Sequence, residues 1–151
     1  MRKKYLSKSP TQTSELGKTL AKEILKTKTK KGLIIGLEGD LGGGKTTFLQ
    51  GLAKGLEIKE RILSPTFVIL RRFKIKSPRF KNLYHIDCYR IRKPREILDL
   101  EFEDVISNPQ HIVVIEWSDK IKKFLPKSSL ILKFQFVNKN SREIWLTKRK
   151  S

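Results

Sequence analysis

Gly39-Asp40-Leu41-Gly42-Gly43-Gly44-Lys45-Thr46 has the spacing G-x-x-x-x-G-K-T, inside the stretch "GLEGDLGGGKTTF". These residue types suit a polyphosphate. Bare backbone can approach it closely. Successive amides ahead of a helix gather negative charge, a lysine adds a mobile cation, and a threonine hydroxyl suits Mg²⁺. Nucleotide contacts are therefore expected from Gly39, Asp40, Leu41, Gly42, Gly43, Gly44, Lys45, Thr46 and Thr47. Magnesium in such a loop also needs a carboxylate from a neighbouring strand end. Glu116 closes the apolar run "HIVVIE" and Asp87 interrupts "LYHIDCYRI". A carboxylate at the end of a buried strand is costly unless it binds something. Thr46, Asp87 and Glu116 are the expected metal ligands. Either carboxylate could hold the metal while the other positions an attacking water. The plainer alternative is that both are surface acids at strand ends, with Asp87 paired to Arg90.

The elements that must carry these groups alternate helix and strand. Thr13–Lys26 reads as an amphipathic helix with Thr13 or Ser14 as its cap. Leu33–Leu37 reads as a buried strand stopped by glycine, and Lys45–Leu56 as the helix that follows the loop. "PTFVILRRF" and "NLYHIDCYRI" read as two strands of a hairpin around Ser77-Pro78. Pro94 to about Ile106 reads as helix, "HIVVIEW" as a buried strand, and Ser118–Phe124 as a short helix. "LILKFQFV" and "EIWLT" form a last hairpin around "NKNS". The class is α/β with a mixed parallel and antiparallel sheet flanked by helices, a three-layer fold like that of P-loop NTPases. His85 shares a strand face with Asp87, which suits a structural hydrogen bond.

At 151 residues the chain is expected to be one domain. About the first ten residues and 148–151 are expected to be flexible. The net charge is +19, from 34 Lys and Arg against 15 Asp and Glu. Such a field attracts polyanions, although scattered lysines are also what a generally basic surface looks like. "RRFKIKSPRFK" could contact RNA, but reads more readily as a hairpin whose charges protect an edge strand. The lone Cys88 excludes an internal disulfide and is expected to be a buried packing residue. No secretory signal and no membrane-length apolar run is visible, so a cytoplasmic protein is expected.

Four motifs in order, "GDLGGGKTTF", "SPTF" at Ser64–Phe67, "YHIDCYR" at Tyr84–Arg90 and "IEW" at Ile115–Trp117, resemble the TsaE (YjeE) family. The resemblance spans most of the chain. It implies a magnesium-dependent ATPase, weak in isolation, that works with TsaD and TsaB in threonylcarbamoyl transfer to the tRNA adenosine beside the anticodon. By position it implies that Lys45 binds phosphate, Thr46 ligates Mg²⁺, and Asp87 and Glu116 face the metal and the γ-phosphate. It further implies that Trp117 serves activity or partner contact, that Thr66 senses the nucleotide, that Thr13 lies near the adenine, and that Arg142 approaches the nucleotide from the last hairpin. Gly43 stands where the family usually has alanine. Two other classes share the loop: a small nucleoside or metabolite kinase, and a nucleotide-gated RNA-binding scaffold. A kinase needs a lid, for which little chain remains. Direct contact with tRNA and the oligomeric state are left open by the sequence.

Overall fold

Seven strands form one sheet in the order β1-β7-β6-β2-β5-β4-β3. They are β1 (Arg2–Ser7), β2 (Leu33–Glu38), β3 (Leu70–Lys74), β4 (Asn82–Asp87), β5 (His111–Glu116), β6 (Leu130–Phe136) and β7 (Arg142–Lys148). The computed structural model describes residues 2–39, 44–62 and 70–148. Asp40, Leu41, Gly42, Gly43 and Thr66, and the first part of the strand expected at "PTFVILRRF", lie outside the described residues. Strands β6, β2, β5 and β4 run parallel, while β3, β7 and β1 add antiparallel edges. The mixed α/β architecture and both expected hairpins are present.

Helices α1 (Pro10–Leu25) and α2 (Lys45–Gly55) cover one face. The other face carries a 3₁₀ segment (Pro94–Leu100), α3 (Phe102–Ser107) and a second 3₁₀ segment (Ser118–Phe124). The period-2 alternation of the strands feeds two cores. Ile35, Leu37, Leu83, Ile112 and Val114 pack under α1 and α2 with Phe48, Leu49 and Leu52. Ile34, Ile86, Val113 and Ile115 pack on the opposite face with Ile97, Phe102 and Ile121. Strand β5 is buried along its whole length, so it reads as unbroken apolar sequence until Glu116.

Helices α1 and α2 are in backbone contact. A Cβ on Gly51 would stand 2.0 Å from the Ser14 carbonyl oxygen, and one on Gly17 would stand 2.3 Å from that of Phe48. Only glycine permits that approach, and it presses α2 firmly onto its neighbour.

Three sequence expectations are corrected. First, α1 starts at Pro10 rather than Thr13. Its cap is Ser9, whose side chain accepts from the Gln12 amide at 3.1 Å, with Pro10 in the first turn where its missing N–H costs nothing. Thr13 is therefore inside the first turn. Second, the helix expected over Pro94–Ile106 is broken at Glu101, which has φ 54°. Third, residues 2–7, expected to be flexible, form β1 on the edge of β7. Arg2 and Lys4 lie over the Trp145 ring at 4.1 and 5.3 Å, so their stems and charges cover an aromatic face.

Candidate nucleotide and metal site

The site gathers at the C-terminal ends of the parallel strands. Parallel pairing of β4 with β5 sets Asp87 opposite Glu116, and pairing of β2 with β5 sets Leu37 opposite Glu116. Strand parity does the rest. Glu116 shares the face of Ile112 and Val114, and Asp87 shares that of Leu83, so both carboxylates look toward α2.

Helix α2 begins at Lys45 behind Gly44, which has φ 96° and supplies no side chain to cap the helix. The first intrahelical bond runs from the Phe48 amide to the Gly44 carbonyl. The N–H groups of the opening turn thus lack a side-chain cap and stand at the positive end of the helix dipole, the arrangement that attracts an anion. The Lys45 side chain is 5% exposed. Its ammonium donates to the Gly39 carbonyl and lies 3.8 Å from the centroid of the Trp117 ring. Trp117 holds that position from a left-handed backbone (φ 58°), with its ring 5.3 Å from Tyr89. The tryptophan therefore does more than close the end of the sheet, because it covers the loop lysine.

Glu116 is 3% exposed, and its Oε2 lies 2.6 Å from Nε2 of the fully buried His85. His85 thus has the structural hydrogen bond expected of it, while its Nδ1 has no partner among the described residues. Asp87 is half-buried. Burial is the main cause that raises its pKa above the ordinary carboxylate value, and the neighbouring Glu116 adds to this; a hydrogen bond from the Tyr89 amide (3.0 Å), His85 and Lys45 pull the other way. Cys88 is buried as expected, and desolvation first, then Asp87, pushes its thiol up to about 12.

Thr13 and Arg142, far apart in sequence, meet at Gly44. A Cβ placed on Gly44 would lie 3.6 Å from Thr13 Cγ2 and 3.6 Å from Arg142 Cγ. The Thr13 hydroxyl is occupied locally, 2.6 Å from Ser7 Oγ and 3.3 Å from the Ser9 carbonyl it donates to. Arg142 donates to the carbonyls of Asn138 (2.7 Å) and Ser141 (2.9 Å). Both residues border the opening of α2.

Sequence reasoning passed over Glu38, which ends the apolar strand β2 as Glu116 ends β5; its parity with Ile34 turns it to the sheet face away from α2. Burial first, then Asp119, raises its pKa. Tyr89, whose ring lies tilted against Trp117, was visible in the sequence only as a member of "YHIDCYR" and was given no role there. Among the described residues no three His, Cys, Asp or Glu side chains cluster as a metal cage. The oxygen donors available, the Asp87 and Glu116 carboxylates and the Thr46 hydroxyl, fit magnesium. That ion is usually bound through one or two carboxylates and substrate phosphates.

A parallel-centred sheet whose strand ends face an uncapped helix N-terminus defines a P-loop NTPase-like α/β protein. Within that class the chain belongs to the TsaE family. The family described as threonylcarbamoyl adenosine biosynthesis protein TsaE matches residues 7–144. Proteins named tRNA threonylcarbamoyladenosine biosynthesis protein TsaE are similar over most of the chain. The one from Nostoc is 40% identical over 120 residues, 77% of this chain and 70% of that protein. The one from Bacillus subtilis is 34% identical over 144 residues, 95% and 84% of the two chains. The one from Haemophilus influenzae is 33% identical over 122 residues, 81% and 75%. The crystal structure of YdiB from Bacillus subtilis superposes with a TM-score of 0.71 at 30% identity, covering 99% of this chain and 86% of that one. The family's role lies in tRNA threonylcarbamoyladenosine biosynthesis. No described helix is long and apolar enough to cross a membrane.

Proposed function

We propose that the chain is a magnesium-dependent ATPase that supports threonylcarbamoyl transfer to tRNA in the cytoplasm, acting with TsaD and TsaB. One observation carries this reading. The buried Lys45 at the uncapped start of α2 shares the sheet's C-terminal end with paired carboxylates from β4 and β5. The amides at the start of α2 and the Lys45 ammonium bind the phosphates. Thr46 and one of the Asp87 and Glu116 carboxylates would hold the magnesium, which would supply positive charge against the phosphates, while the other carboxylate would position the attacking water. His85 fixes the Glu116 carboxylate through its 2.6 Å contact, so Glu116 meets the site in one orientation. Trp117 shields Lys45 from solvent, and a partly desolvated ammonium acts more strongly on phosphate than a hydrated one. Thr13 and Arg142 border the nucleotide from the α1 and β7 sides. Thr66 and the loop residues Asp40 to Gly43 complete the set by sequence alone.

The test is phosphate release with TsaD, TsaB and tRNA present. Lys45→Ala and Thr46→Ala are expected to abolish it. Glu116→Gln is expected to lower kcat by about 10²–10⁴, the range for a group that handles a proton or positions the nucleophile. Normal turnover in all three variants would exclude this site. Transfer of the γ-phosphoryl group to a metabolite would show a kinase instead.

A further inference from the structure

The opposite end of the sheet has its own chemistry. Segments 26–31 and 71–81 together hold ten lysines and arginines and no acidic residue. They are distant in sequence but joined in space by one side chain. The Arg79 guanidinium donates to the Thr29 carbonyl at 2.8 Å, and also to the carbonyls of Lys31 and Pro109. The Lys81 amide donates to Gln110 at 2.9 Å, and Phe80 is fully buried beneath. Arg79 thus spends its own charge on backbone carbonyls and holds three loops as one surface. On it stand Lys28, Lys30, Lys31, Lys74, Lys76 and Lys81, all exposed. None of the six lies within ion-pair distance of a carboxylate of the described residues.

Edge protection explains charges along β3, but not those in the 26–31 loop, which belongs to no strand edge. A fixed surface of lysines without carboxylate partners among the described residues is complementary to a row of phosphates. We infer that this pole binds the phosphate backbone of RNA. It lies at the N-terminal ends of β2, β4 and β5, while Glu38, Asp87 and Glu116 lie at their C-terminal ends. Six-residue strands separate the two by about 17–20 Å, so the RNA leaves the nucleotide end open. The inference rests on the family's place in tRNA modification and is independent of ATP hydrolysis.

The experiment is fluorescence anisotropy of a labelled tRNA transcript against the full chain at several salt concentrations. Three variants are compared: wild type, the pole triple Lys28→Gln/Lys30→Gln/Lys76→Gln, and a control triple Lys3→Gln/Lys133→Gln/Lys139→Gln that removes the same charge elsewhere. Each lost phosphate contact lowers the slope of log K against log salt by about 1. The pole triple should therefore lose about 3 from the slope and the control triple much less, with ATP turnover unchanged in both. Equal losses in the two triples, or no binding by wild type at about 0.1 M salt, the regime where phosphate contacts still count, would overturn the inference. So would displacement of tRNA by poly-glutamate at matched charge, which would point to an acidic protein partner. Loss of ATP turnover in wild type with tRNA binding intact would count against the ATPase reading alone.

Discussion

Asp87 carries its carboxylate at a cost. Its pKa is raised chiefly by burial, and Glu116 stands opposite it in the register. In the window between the ordinary carboxylate value and the raised one, the folded chain keeps a proton that the unfolded chain releases. Stability therefore falls as pH rises through that window, and at neutral pH the ionised group is a net burden. Asp87→Asn is accordingly expected to raise the thermal midpoint at pH 7 in magnesium-free buffer. That gain should vanish below the ordinary carboxylate range, where wild type is protonated as well. Phosphate release should drop in the same variant. A lower midpoint at pH 7 would mean that the carboxylate is stabilised by partners stronger than its burial. Residues of this kind were the most legible in the sequence. An acid that ends an apolar run contradicts its surroundings, and that contradiction located Asp87 and Glu116, and equally marked Glu38. The 2.6 Å link from His85 to Glu116 joins residues 31 apart in sequence. Only the strand register reveals it.

At the scale of elements, the position of Lys45 depends on how closely α2 lies on α1. The Gly51 position has no room for a methyl group, since the atom it would meet at 2.0 Å is backbone. Alanine ordinarily favours a helix over glycine by about 1 kcal/mol, but here the helices would have to separate. Overpacking of this kind typically costs about 1–3 kcal/mol. Gly51→Ala is expected to lose stability by roughly that amount in urea unfolding, and to weaken nucleotide binding as the start of α2 shifts. An unchanged midpoint would show that the helix pair can slide. The parallel strands were readable because burial on both faces makes their sequences continuously apolar. Strand β1 was not, because "RKKYLS" has no apolar alternation and gains its order from β7 at the far end of the chain. The break at Glu101 was hidden as well: helical periodicity continues across it, while the backbone adopts a left-handed turn.

For the molecule as a whole, composition announced an excess of positive charge but not its arrangement. The ion pairs seen among the described residues do little to relieve it. Lys4–Glu143 (3.8 Å) and Lys18–Glu15 (3.9 Å) are exposed and long, and such pairs contribute at most about 1 kcal/mol each. A folded chain of net charge +19 repels itself more than the expanded unfolded chain does. Raising ionic strength shortens the Debye length from roughly 10 Å at 0.1 M to about 3 Å at 1 M. That screens the many repulsions more than the few attractions. The thermal midpoint is therefore expected to rise by several degrees between low and high sodium chloride. Chloride is the right salt for this measurement, because phosphate and sulfate would also compete for the proposed phosphate site at the start of α2 and stabilise by linkage. Removing charge from the lysine pole should reduce the salt effect, since that is where unpaired cations crowd together. A midpoint that fell with chloride would mean that attractive pairs outweigh the crowding, and the pole would then be neutralised within the protein rather than held available for a polyanion.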